Sequence, residues 1–340
     1  VAAALEPQRA FLRSYLGKVY GDAGDNERAA AELALAKKLD PADPTAWLYS
    51  ALLLQQENRV NEATDELEKS QALNDNRRLY RSKMLLDQDR AVRSVNLARI
   101  YDDADMSDVA VREAGLAVLA DYGNYSAHSF LANSFEVERR ANLSDTRFET
   151  ASFNEYLLAN LLGPANGRLL AQPVNQLEYS TLLEQDRLGF ASSTEYFSRG
   201  AWHNSSAQYG TLNGSSYSLE SEYRWEPGER VNQDLEILQL EGKFKHDFTP
   251  DDSMYFHVIG LWADGGDIAQ HFDEQEIRRT YRFHEEQTPT VLAGYHHQWA
   301  PGNHTLLLAG RFDDTFASKD QDSPVYVLDR FFGMITGLVP

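Results

Sequence analysis

The sequence predicts an α + β chain of two domains: an N-terminal α-solenoid of helix hairpins, then an antiparallel up-and-down transmembrane β-barrel that is incomplete within these 340 residues. Three observations predict it. Small and apolar residues recur with a 34-residue period in the first half; hydrophobicity then changes from a helical period to an alternation broken at Leu292 and Leu307; and the connections between the alternating runs are short and long by turns. The expected divisions are a helical domain over 1–163, a linker over 164–187 and part of a barrel over 188–340.

Composition bounds the chemistry. Hydrophobic residues make up 42% of the chain, enough for a sizeable core, and the net charge is -20. A surface so acidic repels nucleic-acid phosphates and anionic headgroups, so no nucleic-acid partner is expected. The absence of cysteine removes disulfides, thiolate zinc sites and cysteine nucleophiles together. No run reaches the ~20 apolar residues of a membrane helix. The opening "VAAALEPQRA" lacks the basic region and apolar stretch of a signal peptide.

The helical half is read from its spacing. Leu16, Gly17, Tyr20, Ala29, Leu33 and Pro41 fill the positions at which two helices of a hairpin approach closely. Trp47, Ala51, Leu54, Ala63 and Leu67 repeat the set, with Ala29 and Ala63 34 residues apart. Leu97, Ala98, Tyr101, Ala110 and Ala114 form a third copy after 47 residues, so 13 extra residues around "RRLYRSKMLLDQD" are expected to interrupt the stack. A half-copy with His128, Leu131, Ala132 and Phe135 follows, and "RFETASFNEYLLANLL" reads as a closing helix before Gly163 and Pro164. From about Ala10 to Leu162 this pattern resembles the tetratricopeptide repeat family. The resemblance implies a superhelix with a groove for a protein or polymer, with these motif residues serving as core.

Beyond "GPANGRLLAQPVNQ" the residues alternate in runs of about ten, the length of a tilted membrane strand. Strands are expected at 188–199, 204–212, 215–226, 234–248, 253–264, 287–299 and 304–316. In "SYSLESEYRW", Tyr217, Leu219, Tyr223 and Trp225 share an apolar face opposite Glu220, Glu222 and Arg224. In "LQLEGKFKHDF", Leu238, Leu240 and Phe244 oppose Gln239, Glu241, Lys243 and Lys245. Across the "APGN" turn, Val291, Tyr295 and Trp299 are expected to share the lipid-facing side with Leu306, Leu308 and Phe312, leaving Arg311 and Asp313 lumen-facing. "MYFHVIGLW" is apolar on both faces, and its orientation stays open.

Asn213-Gly214, "TPDD" and "APGN" are short joints. They alternate with "GAWHN", "PGERVNQ" and a loop over 265–286, as in barrels with short inner turns and long outer loops. Seven strands leave an open edge that hydrocarbon does not tolerate. "PVYVLDRFFGMITGLVP" is therefore expected to be an outer loop leading into further strands.

A repeat solenoid followed by such a barrel resembles the exopolysaccharide export porins. The resemblance implies an outer-membrane location with the repeats in the periplasm, where they dock polysaccharide or a partner protein, while lipid surrounds the sheet and polymer passes through it. No gate motif aligns, so no gate residue is carried over. A lipoprotein translocator or surface receptor of the same architecture is the alternative, and a soluble carbohydrate-active protein is the third reading. No catalysis is expected, because the adjacent pairs Glu285-Glu286 and Asp313-Asp314 do not converge. No cofactor or metal is expected either. His296 and His297 are strand neighbours facing opposite ways, and the acidic loop with Asp264, Asp267, Asp273, Glu274 and Glu276 lacks calcium-loop spacing and is expected to be solvated.

Overall fold

Four side chains mark where helices begin. Asp25, Asp43, Ser82 and Thr150 accept hydrogen bonds from the backbone N–H groups of Arg28, Thr45, Leu85 and Phe153. Each thereby satisfies a donor that a helix start leaves orphaned. These caps open α3 (Asn26–Leu39), α4 (Pro44–Gln56), α6 (Lys83–Asp103) and α9 (Ala151–Leu162). The other helices are α1 (Ala2–Leu5), α2 (Ala10–Asp22), α5 (Val60–Ala72), α7 (Ser107–Ala120) and α8 (Tyr125–Val137). The computed structural model describes residues 2–77, 82–137, 150–165, 187–269, 271, 273, 276–321, 327–331 and 334–339.

Helices α2/α3, α4/α5, α6/α7 and α8/α9 form successive tetratricopeptide-like hairpins. Ala29, Ala63 and Ala110 are fully buried; the apolar cluster around the first two runs from Leu33 through Leu53 and Leu67 to Leu97 and Ile100, and Ala110 packs in a second with Ala98, Ala114, Phe130 and Leu131. The repeat also extends to the backbone of the turns. Gly24, Asn58 and Asp105 all take a left-handed φ of 58–79°. In each case the next residue's N–H reaches the carbonyl five positions back, Tyr20, Leu54 or Tyr101, at 2.9 Å.

The 13 extra residues do not interrupt the stack. Their described part includes Arg77, the end of the 3-10 turn Asn74–Arg77, and the first turns of a lengthened α6, which still packs on α5 through Leu67, Val92 and Leu97; residues 78–81 lie outside the described residues. Buried Arg93 ties the insertion down, donating to Ser70 Oγ at 3.0 Å and Asn74 Oδ1 at 2.6 Å. The half-copy and closing helix pair as a fourth hairpin, with Ser152 Oγ donating to the Ala132 carbonyl at 3.2 Å and His128 Nδ1 lying 2.5 Å from Glu155 Oε2.

The second half is an eight-stranded antiparallel sheet in the order β1 (Arg187–Tyr196), β2 (Trp202–Leu212), β3 (Ser215–Glu226), β4 (Leu235–Asp247), β5 (Asp252–Gly265), β6 (Arg282–Ala300), β7 (Asn303–Arg311), with β8 (Asp314–Lys319) also on β6. The expected strand over 304–316 is thus two strands. The cause lies opposite, where Gly260 faces both Thr288 and Pro289 in a β-bulge. Proline lacks the N–H a ladder needs, so β6 pairs with β7 on one side of the bulge and with β8 on the other. Among the described residues the sheet is not closed: β1 forms one edge, and β7 and β8 together form the other. The tail expected as an outer loop instead contains a hairpin of β9 (Val327–Phe331) and β10 (Met334–Val339), which pair with each other.

The sheet meets the repeats at its short-turn end. Tyr125 of α8, Leu162 of α9 and Leu306 of β7 form one apolar cluster, and the Ala165 N–H donates to Asp247 Oδ2 at 2.9 Å. The longer connections lie at the opposite end. There Arg230 donates to the Asp267 carbonyl, and Asn232 to the carbonyls of Arg278 and Tyr281, each at 2.7 Å.

Candidate functional site

The candidate site is the face of the sheet on which α9 lies. Antiparallel register places Ser218, Lys243, His257 and Leu292 in one row across β3 to β6. A neighbouring row holds Ser216, Lys245, Tyr255 and Gly294, and a third holds Glu220, Glu241, Ile259 and Thr290. These side chains share a face because a strand repeats every two residues.

The charges beneath α9 are matched closely. Lys243 Nζ lies 2.9 Å from Glu220 Oε2 and 2.7 Å from Glu241 Oε2, and Glu241 also meets His257 Nε2 at 3.2 Å. Gln239 Nε2 donates to Glu241 Oε1 at 2.5 Å. Taking Lys243 out of water is tolerable because two carboxylates and a ring face surround it, with the Tyr156 centroid 5.2 Å from Nζ. The buried setting of its hydroxyl pushes the Tyr156 phenol up. Lys245 is only 2% exposed and donates to the Asn160 and Leu161 carbonyls at the C-terminus of α9, the Leu161 bond being 3.0 Å. A cation placed there complements the negative end of the helix dipole.

Apolar contacts seat the helix. Leu157 and Leu161 pack with Tyr255 and Leu292. Leu161 occupies the notch at Gly294, where a Cβ would overlap it. Towards β1 the same face opens into a cavity of about 300 Å³ lined by Ser193, Ser205, Glu220, Glu222, Gln239 and Glu241. Such a lining offers hydroxyl, amide and carboxylate groups at close spacing.

Seven of the residues expected to face a lumen, namely Glu220, Glu222, Arg224, Gln239, Glu241, Lys243 and Lys245, lie on this covered face. Tyr217, Leu219, Tyr223, Trp225, Leu238, Leu240, Phe244, Val291 and Tyr295 lie on the other, open face. Trp299 is also open, 68% exposed, with Nε1 donating to Thr305 Oγ1 at 3.0 Å.

The two faces of β7 are reversed from expectation. Leu306 pairs with His296 and Leu308 with Gly294, both on the covered face, and Phe312 packs beside Gly310 there. Arg311 pairs with Val291 on the open face, and Asp313, between β7 and β8, is held 2.9 Å from Arg311. The physical reason is a bulge at Trp299, between the pairs Gln298 with His304 and Ala300 with Asn303. One extra residue shifts the register by one, and every side chain beyond it changes face.

The open orientation of "MYFHVIGLW" is now defined. Tyr255, His257, Ile259 and Leu261 are covered; Met254, Phe256, Val258 and Trp262 are open. Sequence reading missed Tyr255 and His257 because both faces of this strand are apolar enough to hide the alternation.

Glu285 and Glu286 take opposite faces of β6, as do His296 and His297. His296 meets His304 at 2.9 Å, and His297 meets Asp252 at 2.8 Å. In the acidic loop Asp267 is not solvated. It is buried, bonded to His271 at 2.8 Å and to the Arg278 N–H at 2.9 Å. Glu274 lies outside the described residues. Among the described residues no group of three acidic or histidine side chains could hold a metal ion.

No protein-family model and no curated protein matches the chain. Solved structures similar to it include MamA, at 18% identity and a TM-score of 0.35 over 47% of this chain and 82% of that one. PilF of Pseudomonas aeruginosa is similar at 17% identity and a TM-score of 0.39, over 49% and 67% of the two chains. YrrB, described as a tetratricopeptide-repeat protein with an unusual peptide-binding site, is similar at 14% identity and a TM-score of 0.21, over 47% and 90%.

Proposed function

We propose that the sheet is part of the wall of an outer-membrane barrel that passes a polar polymer, a polysaccharide in the first instance, and that the repeats dock polymer or protein on the periplasmic side. The single observation that carries the reading is that β3 to β6 turn a mainly apolar side outward, while the covered side of β3 and β4 carries a run of charged and polar residues from Ser216 to Arg224 and from Gln239 to Lys245. On β4 the open side runs Leu238, Leu240, Gly242 and Phe244, flanked by Glu236 and His246. At 3.2–3.4 Å per residue those six steps span about 20 Å, close to the ~25 Å apolar band of such barrels.

Aromatics sit at both margins of that band. Tyr196, Trp202, Tyr223, Trp225 and Trp262 lie toward the long connections; Tyr295 and Trp299 lie toward the short turns. This is the placement of interfacial girdles. The packing of the short turns against the repeats supports the same orientation, since short turns face the periplasm in these barrels. The hydroxyl and carboxylate lining near β1 suits a chain of hydroxyl groups held by many weak contacts.

The test uses single-tryptophan variants of the chain in vesicles whose acyl chains carry bromine. Trp202, Trp225, Trp262 and Trp299 are expected to be quenched, and Trp47 of α4 to be spared. Unquenched sheet tryptophans, together with a chain that stays monodisperse without detergent, would overturn the reading. Sugar analysis of purified material addresses the cargo: bound carbohydrate supports export, whereas a stoichiometric lipoprotein favours translocation.

A further inference from the structure

We infer that α9 is a removable plug, an autoinhibitory occupant of the polar face it covers. The inference rests on the conduit reading above, because it assigns the covered face to the route that the helix blocks.

The interface beneath α9 is built unlike the repeat core. Between α2 and α7 the contacts are mainly alanine, leucine and isoleucine, and buried polar side chains there such as Arg93, Ser70 and Asn74 are hydrogen-bonded to one another. Beneath α9 the apolar contacts are fewer: Leu157 and Leu161, with Phe153 beside them, pack with Tyr255, Leu292 and Leu306, and Leu162 also meets Leu306. The remainder is Lys243, Lys245, Glu220, Glu241 and His257, all of them groups that water or a hydroxyl-rich chain would solvate well.

That polar surface is incompletely matched by the helix. Asn160 Oδ1 on α9, and Ser216 Oγ and His257 Nδ1 on the sheet, are buried without a hydrogen-bond partner. Groups left so are uncommon in a permanent core, because each loses its hydration and recovers nothing. Lys245 is satisfied by carbonyls that belong to the helix terminus, where any oxygen-rich ligand could replace them. A polymer of hydroxyl groups, each both donor and acceptor, could satisfy all of these atoms in place of α9. The helix therefore fits the role of a surrogate for cargo.

One residue on each side holds the plug in register: Leu161 on the helix and Gly294 on β6. Gly294→Val fills the notch and is expected to lift α9, and Leu161→Ala removes the knob from the other side should the first variant fold poorly. The full chain in detergent micelles is followed by amide hydrogen exchange and by acetylation of Lys245 with an N-hydroxysuccinimide ester. In the unaltered chain the α9 amides and Lys245 are expected to react together, at least about tenfold faster than the amides of α4 to α7. Either variant is expected to raise both rates about tenfold more and leave α4 to α7 unchanged.

Protection of α9 equal to that of α4 to α7, with Lys245 modified only on global unfolding, would overturn the plug. Tryptophan quenching by brominated chains, measured on the same variants, keeps the two ideas apart. Quenched sheet tryptophans with a locked α9 overturn the plug alone, whereas unquenched ones in a chain that stays monodisperse without detergent overturn the membrane reading and the plug with it.

Discussion

Gly17 shows how one missing side chain sets a helix pair. A Cβ there would lie 2.7 Å from Leu33 Cγ and 3.2 Å from the Ala29 carbonyl oxygen, so α2 and α3 approach only because the position is glycine. Gly17→Val is expected to cost about 1–3 kcal/mol, seen as a lower midpoint in thermal unfolding followed by helical circular dichroism. Tyr101 makes a different case, with its hydroxyl 2.7 Å from Glu68 Oε1. Burial and that carboxylate push the phenol up to about 12. The folded chain keeps this proton where the unfolded chain has lost it. Stability is therefore complete below an ordinary tyrosine pKa of about 10 and falls as pH rises from there towards 12. Tyr101→Phe is expected to remove that part of the fall, measured by denaturant unfolding at pH 9 and pH 11. The motif residues Gly17, Ala29 and Ala63 were legible in the sequence because steric demand leaves few residue types acceptable. Asn58 and Asp105 were not, because a left-handed turn residue is permitted to many polar side chains that never adopt it.

Among elements, the strands up to β5 were legible to within a few residues, whereas β6 begins at Arg282 rather than 287 and the run 304–316 is two strands. Period-two alternation with Asn-Gly and Pro-Gly turns places β3 at Ser215–Glu226, the span expected from the pattern. The faces of β7 were misread, although its residues alternate cleanly. Alternation fixes which residues share a side, but only the turn register decides which side that is. Deleting Trp299 is expected to restore a regular hairpin and move Leu306 out of the cluster with Tyr125 and Leu162. Losing the partial burial of Leu306 is expected to cost about 1 kcal/mol, less than a fully buried leucine, checked by denaturant unfolding in micelles with and without the deletion. Thr150 at the start of α9 offers a gentler probe. Thr150→Ala removes the oxygen that accepts the Phe153 N–H at 3.2 Å, and is expected to speed amide exchange in the first turn by about 1 kcal/mol in opening energy.

At the scale of the whole molecule, repeats and sheet act on one another through a small set of contacts around α9 and the short turns. Leu306 joins α8 and α9 to the sheet, so Leu306→Asp is expected to separate their unfolding. Helical circular dichroism and the fluorescence of the sheet tryptophans should then report two midpoints where the unaltered chain reports one. A single shared midpoint in the variant would mean that the other junction contacts, such as Asp247 with Ala165, suffice for coupling. By itself the sequence determined the helical period, the change to alternating strands, the order of short and long connections and the two-sided polarity of strands such as β3 and β4, because all of these arise from neighbours within one or two turns or pleats. Only the tertiary structure decided that α9 lies across the polar side, that Lys245 meets the end of that helix and that Leu306 faces the repeats rather than lying on the open side. Those outcomes depend on a one-residue bulge and on partners more than eighty residues apart, and no local pattern records either.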